Sequence, residues 1–155
     1  MSTIPEGFEP LPYASPFTDL LGPIYQKQDA SGLIIALKAE EKHCNARGTV
    51  HCGVLGTLAD IAMGYSTAFS TQPPTLIVTA SQTIDYVGNA EKSDWIEVHT
   101  DVQKVGRAMA FANCYFHVGS IRVARAIAAF RIIASDLRPH PDAPVHSLSW
   151  RSLIV

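Results

Sequence analysis

The sequence predicts an α+β fold, with one antiparallel sheet built against one principal helix. Three observations carry that prediction. A single long segment, from Gly53 to about Phe69, repeats its apolar residues at the helical period. Beyond Pro73-Pro74 the chain turns to runs rich in Thr, Val and Ile that alternate like strands. Tight turns at Gly106 and Gly119-Ser120 join those runs into a meander.

The elements follow in order. Residues 1–23 hold five prolines (Pro5, Pro10, Pro12, Pro16, Pro23), each lacking a backbone donor, so this stretch is expected to be an irregular lead-in. Within it a short helix over Phe17–Leu21 is expected, capped by Ser15 with Pro16 at its first position. Ile24–Gln28 and Leu33–Ala39, separated by Asp29-Ala-Ser-Gly32, read as a hairpin. In the helix, Val54, Leu55, Leu58, Ala62, Tyr65 and Phe69 share one apolar face. Gly53, Gly56, Thr57, Asp60, Gly64 and Thr67 form an opposite, small-residue stripe. Glycine inside a helix costs up to ~1 kcal/mol relative to alanine, so three on one stripe imply close approach of a backbone or a ligand. The helix is therefore expected to be buried on both faces.

Leu76–Tyr86, Asp94–Val105 and Arg107–Val118 read as strands. Ile121–Ala134 is rich in alanine, which favours a helix by propensity, but the tight turn before it favours a further strand, and the strand is preferred. The tail from Pro139 reads as loop, with Leu148–Val155 able to dock on the surface. The expected organisation is one domain over 1–155, with a core at about 24–134, a lead-in over 1–23 and a tail over 135–155.

Composition narrows the function. The chain has 155 residues, 47% of them apolar and 17% charged, with a net charge of −2 and no basic block. Nucleic-acid binding is not expected, since phosphate contacts leave a clustered Lys/Arg footprint. The N-terminus lacks the pattern of a signal peptide, and no apolar run nears the roughly 20 residues that span a bilayer. Three cysteines without an export signal fit a reducing cytoplasm and free thiols.

The most informative stretch is Asn45-Ala-Arg-Gly48-Thr-Val-His51-Cys52-Gly53, running into the helix that holds Asp60. Asp60 is the only ionisable group between Gly53 and Phe69 apart from Tyr65. An ionised carboxylate in apolar surroundings is costly unless paired or used. Upstream of it a glycine-punctuated turn precedes a helix start, where backbone N–H groups lack partners. An acid or base close in sequence to polarising donors suggests acyl chemistry. The bland alternatives are a solvent-facing Asp60, a structural His51, a turn-capping Asn45 and an ordinary strand threonine at Thr79. The pairs His43-Cys44 and His51-Cys52 invite a zinc reading, but the short Cys-x2–4-Cys spacing is absent. Cys52 near a helix start could also be a nucleophile, which would leave Asp60 without a role.

Asn45-x2-Gly48-x2-His51-x-Gly53-x4-Leu58-x-Asp60 resembles the hotdog-fold acyl-CoA thioesterases of the PaaI-like branch. Thr79-Ala-Ser-Gln-Thr-Ile-Asp-Tyr86 is similar to that family's strand after the helix, and Lys104-Val-Gly106-Arg107-Ala to its later hairpin. The resemblance covers about residues 25–134. It implies a sheet wrapped around the central helix and hydrolysis of an acyl- or aryl-acyl-coenzyme A, with no metal and no bound cofactor. By the same resemblance, Asp60 is general base or nucleophile and Asn45 orients the water or acyl group. The backbone N–H of Cys52 polarises the thioester carbonyl at the turn with Gly53, His51 supports that turn, and Thr79 helps place the water. Lys104 and Arg107 are candidates to meet the phosphates of coenzyme A, as are Arg122 and Arg125. The chain departs from the family at Cys52, where glycine is usual. The N–H survives that change, while Cβ and sulfur narrow the approach. Two alternatives remain open: a hotdog hydratase or dehydratase, and a domain that only binds acyl-CoA.

Geometry adds an expectation about assembly. Cys52 and Asp60 lie eight residues apart, so one helix separates them by ~12 Å. One carbonyl carbon cannot be served by both from the same helix. A homodimer with shared sites is therefore expected, and the resemblance extends this to a homotetramer, a dimer of dimers.

Overall fold

The computed structural model describes residues 4–13 and 15–134. Its elements are β1 (Glu9–Pro10), α1 (Pro16–Leu21), β2 (Ile24–Asp29), β3 (Gly32–Lys38), α2 (Cys52–Phe69), β4 (Leu76–Tyr86), β5 (Trp95–Val105), β6 (Met109–Val118) and β7 (Ile121–Ala134). A 3-10 turn at Glu41–His43 precedes α2. The strands form one antiparallel sheet in the order β1-β2-β3-β5-β6-β7-β4, with α2 packed against β3 to β7. This is the hotdog fold.

The ambiguous last segment is strand β7, paired with β6 on one side and β4 on the other. Pairing on both edges overrides the alanine propensity for helix. The lead-in is more ordered than expected. Glu9 and Pro10 pair with Gln26 and Tyr25, at a sheet edge where proline is tolerated. Ser15 caps α1 through a capping box, with Pro16 in the first turn. The expected loop from Pro139 and the docking segment Leu148–Val155 lie outside the described residues.

The core is the interface between α2 and the sheet. Leu58, Ala59, Ala62 and Met63 are fully buried against Ile35, Leu37, Ile96, Val98, Phe116 and Phe130. Val54 and Leu55 are buried as expected, and Thr67, assigned to the small stripe, is buried too. Tyr65 and Phe69 are only half-buried. They flank the buried arc instead of filling it, and pack on Tyr13 of the lead-in, Tyr65 tilted at a ring separation of 5.2 Å and Phe69 stacked at 6.0 Å.

The expectation that α2 is buried on both faces is corrected for the single chain. Cys52, Gly53 and Asp60 are exposed, and Gly56, Thr57 and Gly64 half-buried. Strand β4 bonds one flank of this stripe, at Cys52, Gly56 and Asp60, and the stripe is open from Cys52 to Asp60 while Thr67 at its far end is buried. No described helix is long and apolar enough to cross a membrane.

Leu58 sits at the centre of the α2–sheet contact with no solvent exposure. Leu58→Ala is expected to lower unfolding free energy in urea by about 2–5 kcal/mol. A loss under about 1 kcal/mol would show that α2 does not anchor the core.

Candidate functional site

The site begins with an irregularity in β4. Thr79 pairs with Phe130 and Ser81 with Ala129, so Ala80 is an extra, bulged residue. A bulge reverses which face later residues address. Before it, Ile77 and Thr79 face α2. After it, Gln82, Ile84 and Tyr86 do, opposite the buried Ala128, Ala126 and Ala124.

Three hydrogen bonds then join strand to helix. The Thr79 hydroxyl donates to Asp60 Oδ1 at 2.7 Å. Gln82 Nε2 donates to the Gly56 carbonyl at 3.0 Å. The Tyr86 hydroxyl donates to the Cys52 carbonyl at 3.2 Å. Their helix partners recur every four residues, on one side of α2. Asp60 and Thr79, 19 positions apart, are thus brought together within one protomer. Sequence reasoning named neither Gln82 nor Tyr86 as part of this seam. The available signal was a parity change along β4: strict alternation puts Ile77 and Ile84 on opposite faces, yet both are apolar.

The helix start is built by the preceding loop. Asn45 closes it with its own side chain, Oδ1 accepting from the Arg47 N–H at 2.8 Å and Nδ2 donating to Thr49 Oγ1 at 2.9 Å. Gly48, at φ +83°, makes the tight reversal with its N–H on the Asn45 carbonyl. The Val50 N–H binds the Ala90 carbonyl and the His51 N–H the His43 carbonyl, both at 2.8 Å. Buried His43 is itself fixed, Nδ1 accepting from the Glu40 N–H and Nε2 donating to the Leu21 carbonyl.

His51 is the N-cap of α2, and its Nδ1 accepts from the Gly53 N–H at 2.9 Å. The ring folds over residue 53 so closely that a Cβ there would lie 3.1 Å from Nδ1, and the ring would have to give by a few tenths of an ångström. The Val54 N–H binds the His51 carbonyl. Of the first three helical N–H groups, Cys52 alone has no acceptor among the described residues. Cys52 takes an ordinary negative φ, so the residue that stands for glycine brings no backbone strain. Cys52 is exposed, and its uncapped N–H stands at the positive end of the helix dipole.

The remaining candidates stand apart from Asp60. Lys104 pairs with Phe111, with β6 and β7 between it and β4, a span of about 14 Å at standard strand spacing. Arg107 is exposed in the β5–β6 turn. Arg122 stacks over Tyr115 at 4.3 Å, and Arg125 pairs with Asp85 at 2.8 Å. All three cysteines are free thiols. Burial pushes the Cys114 thiol up to about 12, as befits a small core residue. No three His, Cys, Asp or Glu side chains converge among the described residues. Tyr65 registers the charge of Asp60: burial foremost, then Tyr13 and Asp60, raise its phenol above the usual range.

His51 can be tested separately as a cap. His51→Ala is expected to cost about 1 kcal/mol of unfolding free energy, and His51→Asn to restore most of it. Equal losses in both variants, measured by urea denaturation, would contradict the capping role.

Comparison with known proteins places this geometry. The family model described as "Thioesterase superfamily" matches residues 47–133. A Pseudomonas aeruginosa protein named only as an esterase is 49% identical over 133 residues, 85% of this chain and 99% of that one. Human acyl-coenzyme A thioesterase 13 is 32% identical over 98 residues, 63% of this chain and 69% of its own. Among solved structures, zebra fish thioesterase superfamily member 2 superposes with a TM-score of 0.70 at 25% identity, covering 76% of this chain and 88% of that one. The E. coli PaaI protein from the phenylacetic acid degradation operon shares the fold, at a TM-score of 0.69 and 19% identity over 77% and 86% of the two chains. The family match spans the helix start, Asp60, Thr79 and the strands that carry them, and on it the chain belongs to the thioesterase superfamily.

Proposed function

We propose that this protein hydrolyses the thioester of an acyl- or aryl-acyl-coenzyme A, with Asp60 driving the attack and the Cys52 N–H polarising the carbonyl. One observation carries the reading. The sole carboxylate of α2 is exposed on an open stripe, its Oδ1 held by the Thr79 hydroxyl and its other oxygen left to act. A carboxylate fixed on one oxygen is oriented to take a proton from water with the other.

Thioester hydrolysis builds negative charge on the carbonyl oxygen, and a helix start offers a preorganised donor for it. Cys52 supplies that donor, with the capped Gly53 and the Asn45 loop holding it in place. In a neutral ring with Nδ1 accepting, His51 Nε2 carries the proton and is available to the substrate. The chemistry requires no metal and no bound cofactor.

The distance from Cys52 to Asp60 along α2, ~12 Å, assigns them to different carbonyls. The proposed active unit is a homodimer in which Asp60 and Thr79 of one protomer meet the Asn45–Gly53 turn of its partner. The open stripe on α2 leaves room for that approach. Strand β4 is a sheet edge, paired only with β7 among the described residues, and so offers a free ladder to a second copy. Phe111 and Ile127 are exposed on the sheet face away from α2 and supply apolar area for a dimer of dimers. Lys104 and Arg107 are proposed to reach coenzyme A phosphates only in that assembly. Free thiols fit a cytoplasmic setting.

Thiol release over a panel of acyl-CoAs tests the reading. Wild type is expected to release thiol, and Asp60→Asn to lose release while keeping its unfolding midpoint. Hydration of an enoyl-CoA without release would make this a hydratase, and binding with neither reaction a sensor. Cys52→Pro removes the N–H together with the thiol, and Cys52→Ala, which removes the thiol alone and should keep its activity, is its control; proline suits the first helical position, and His51 already has the extended backbone that precedes proline. The proline variant is expected to fold normally and to lose ~10²–10³-fold in kcat.

A further inference from the structure

The first turn of α2 contains a peptide group bonded at both ends by side chains. Its N–H, that of Gly53, goes to His51 Nδ1 at 2.9 Å, and its oxygen, that of Cys52, accepts from the Tyr86 hydroxyl at 3.2 Å. In the peptide before it, the His51 carbonyl accepts from the Val54 N–H, and the N–H is the uncapped donor of Cys52. The two peptide planes hinge on the φ and ψ of Cys52, so fixing the second limits where the first can point its N–H. The bonds made by His51 and Val54 lie within the loop and the helix and move with them. The bond from Tyr86 arrives from β4, 34 positions away, and ties the helix start to the sheet edge. Earlier on the same strand, Thr79 holds Asp60. Strand β4 is thus the common reference against which donor and carboxylate are both placed. Burial foremost, then the Cys52 thiol, hold the Tyr86 phenol above its usual range, so it keeps its proton to donate at neutral pH.

We infer that Tyr86 is a positioning residue for the oxyanion donor: its hydroxyl, bonded to the Cys52 carbonyl from β4, sets the Cys52 N–H against the reacting thioester carbonyl. This rests on the proposed thioesterase reaction and its shared site. There the carboxylate belongs to the partner, which is proposed to join along the β4 edge. A donor tied to β4 is held in register with that partner, whereas a donor tied only to its own loop is not. Tyr86 acts through the peptide, so its loss weakens stabilisation of the developing charge and leaves substrate affinity alone.

Tyr86→Phe tests this, since it keeps the ring and removes the hydroxyl. Tyr86 is 45% exposed, so the variant is expected to fold. Expected are a fall in kcat on the order of 10-fold and a KM within about twofold of wild type. A spectroscopic readout follows the donor itself. Asp60→Asn holds its substrate unhydrolysed, and the infrared stretch of an acyl-CoA isotope-labelled at the thioester carbonyl reports the hydrogen bond as a lowered frequency. Adding Tyr86→Phe to Asp60→Asn should return that stretch toward the value of free substrate, and adding Cys52→Pro should return it fully. Unchanged kcat, a loss carried by KM, or a lower kcat with an unchanged stretch overturns the inference. If wild type releases no thiol from any acyl-CoA, the proposed reaction fails and takes this inference with it. If wild type is active but Cys52→Pro is equally active, the donor assignment fails. With wild type active and Cys52→Pro impaired, failure of the Tyr86 results refutes the positioning role alone.

Discussion

The hydrogen bond from the Thr79 hydroxyl to Asp60 holds the edge of the sheet to the one charged position on α2, and the candidate site is organised around it. Immediately after Thr79, Ala80 bulges out of the ladder with β7. Without that extra residue, Thr79 could still meet Asp60, but Gln82, Ile84 and Tyr86 would turn away from the helix. With it, hydroxyl, amide and phenol all meet the helix on one line. The bulge thus determines how α2 is gripped.

The other half of the chemistry lies at the far end of the same seam. The loop over residues 44–51 is closed by Asn45 on Arg47 and Thr49 and anchored by Val50 on Ala90 and His51 on His43, and His51 takes the Gly53 N–H. Among the described residues, the Cys52 N–H is then the one donor of the first three in α2 without an acceptor. Donor and carboxylate are each well prepared and well separated along a rigid helix. Rigidity makes the separation informative, since neither end can bend toward the other without disrupting the buried row of Leu55, Leu58, Ala59 and Ala62. The glycines between them keep the ridge low. Their helix-propensity cost is understandable if another chain must lie against it.

Much of this was legible in the chain. Helical period, strand alternation and turn residues specified the order of elements because each depends on local backbone preference. The small stripe stood out because glycine is costly in a helix, and Asp60 because it is the only carboxylate there. Asn45 and His51 were legible as residue types but not as partners. Their hydrogen bonds to Thr49, Arg47 and Gly53 depend on loop geometry that spacing does not encode. Tyr65 and Phe69 were assigned to the core because an angular projection treats all apolar positions alike. The sheet buries only part of that arc, and Tyr13 packs on Tyr65 and Phe69. The contribution of Gln82 was hidden by a one-residue bulge, which changes the facing of a strand without changing its composition.

Shared half-sites are the central claim, and mixing two inactive forms tests them most directly. Asp60→Asn and Cys52→Pro subunits would be unfolded together, refolded as a mixture and assayed for thiol release. If each site takes its carboxylate from one protomer and its donor from the other, a mixed dimer holds one intact site and one doubly impaired site. The mixture should then regain a substantial fraction of wild-type activity. Activity no higher than the sum of the two parents, with mixed dimers shown to be present, would contradict the shared site.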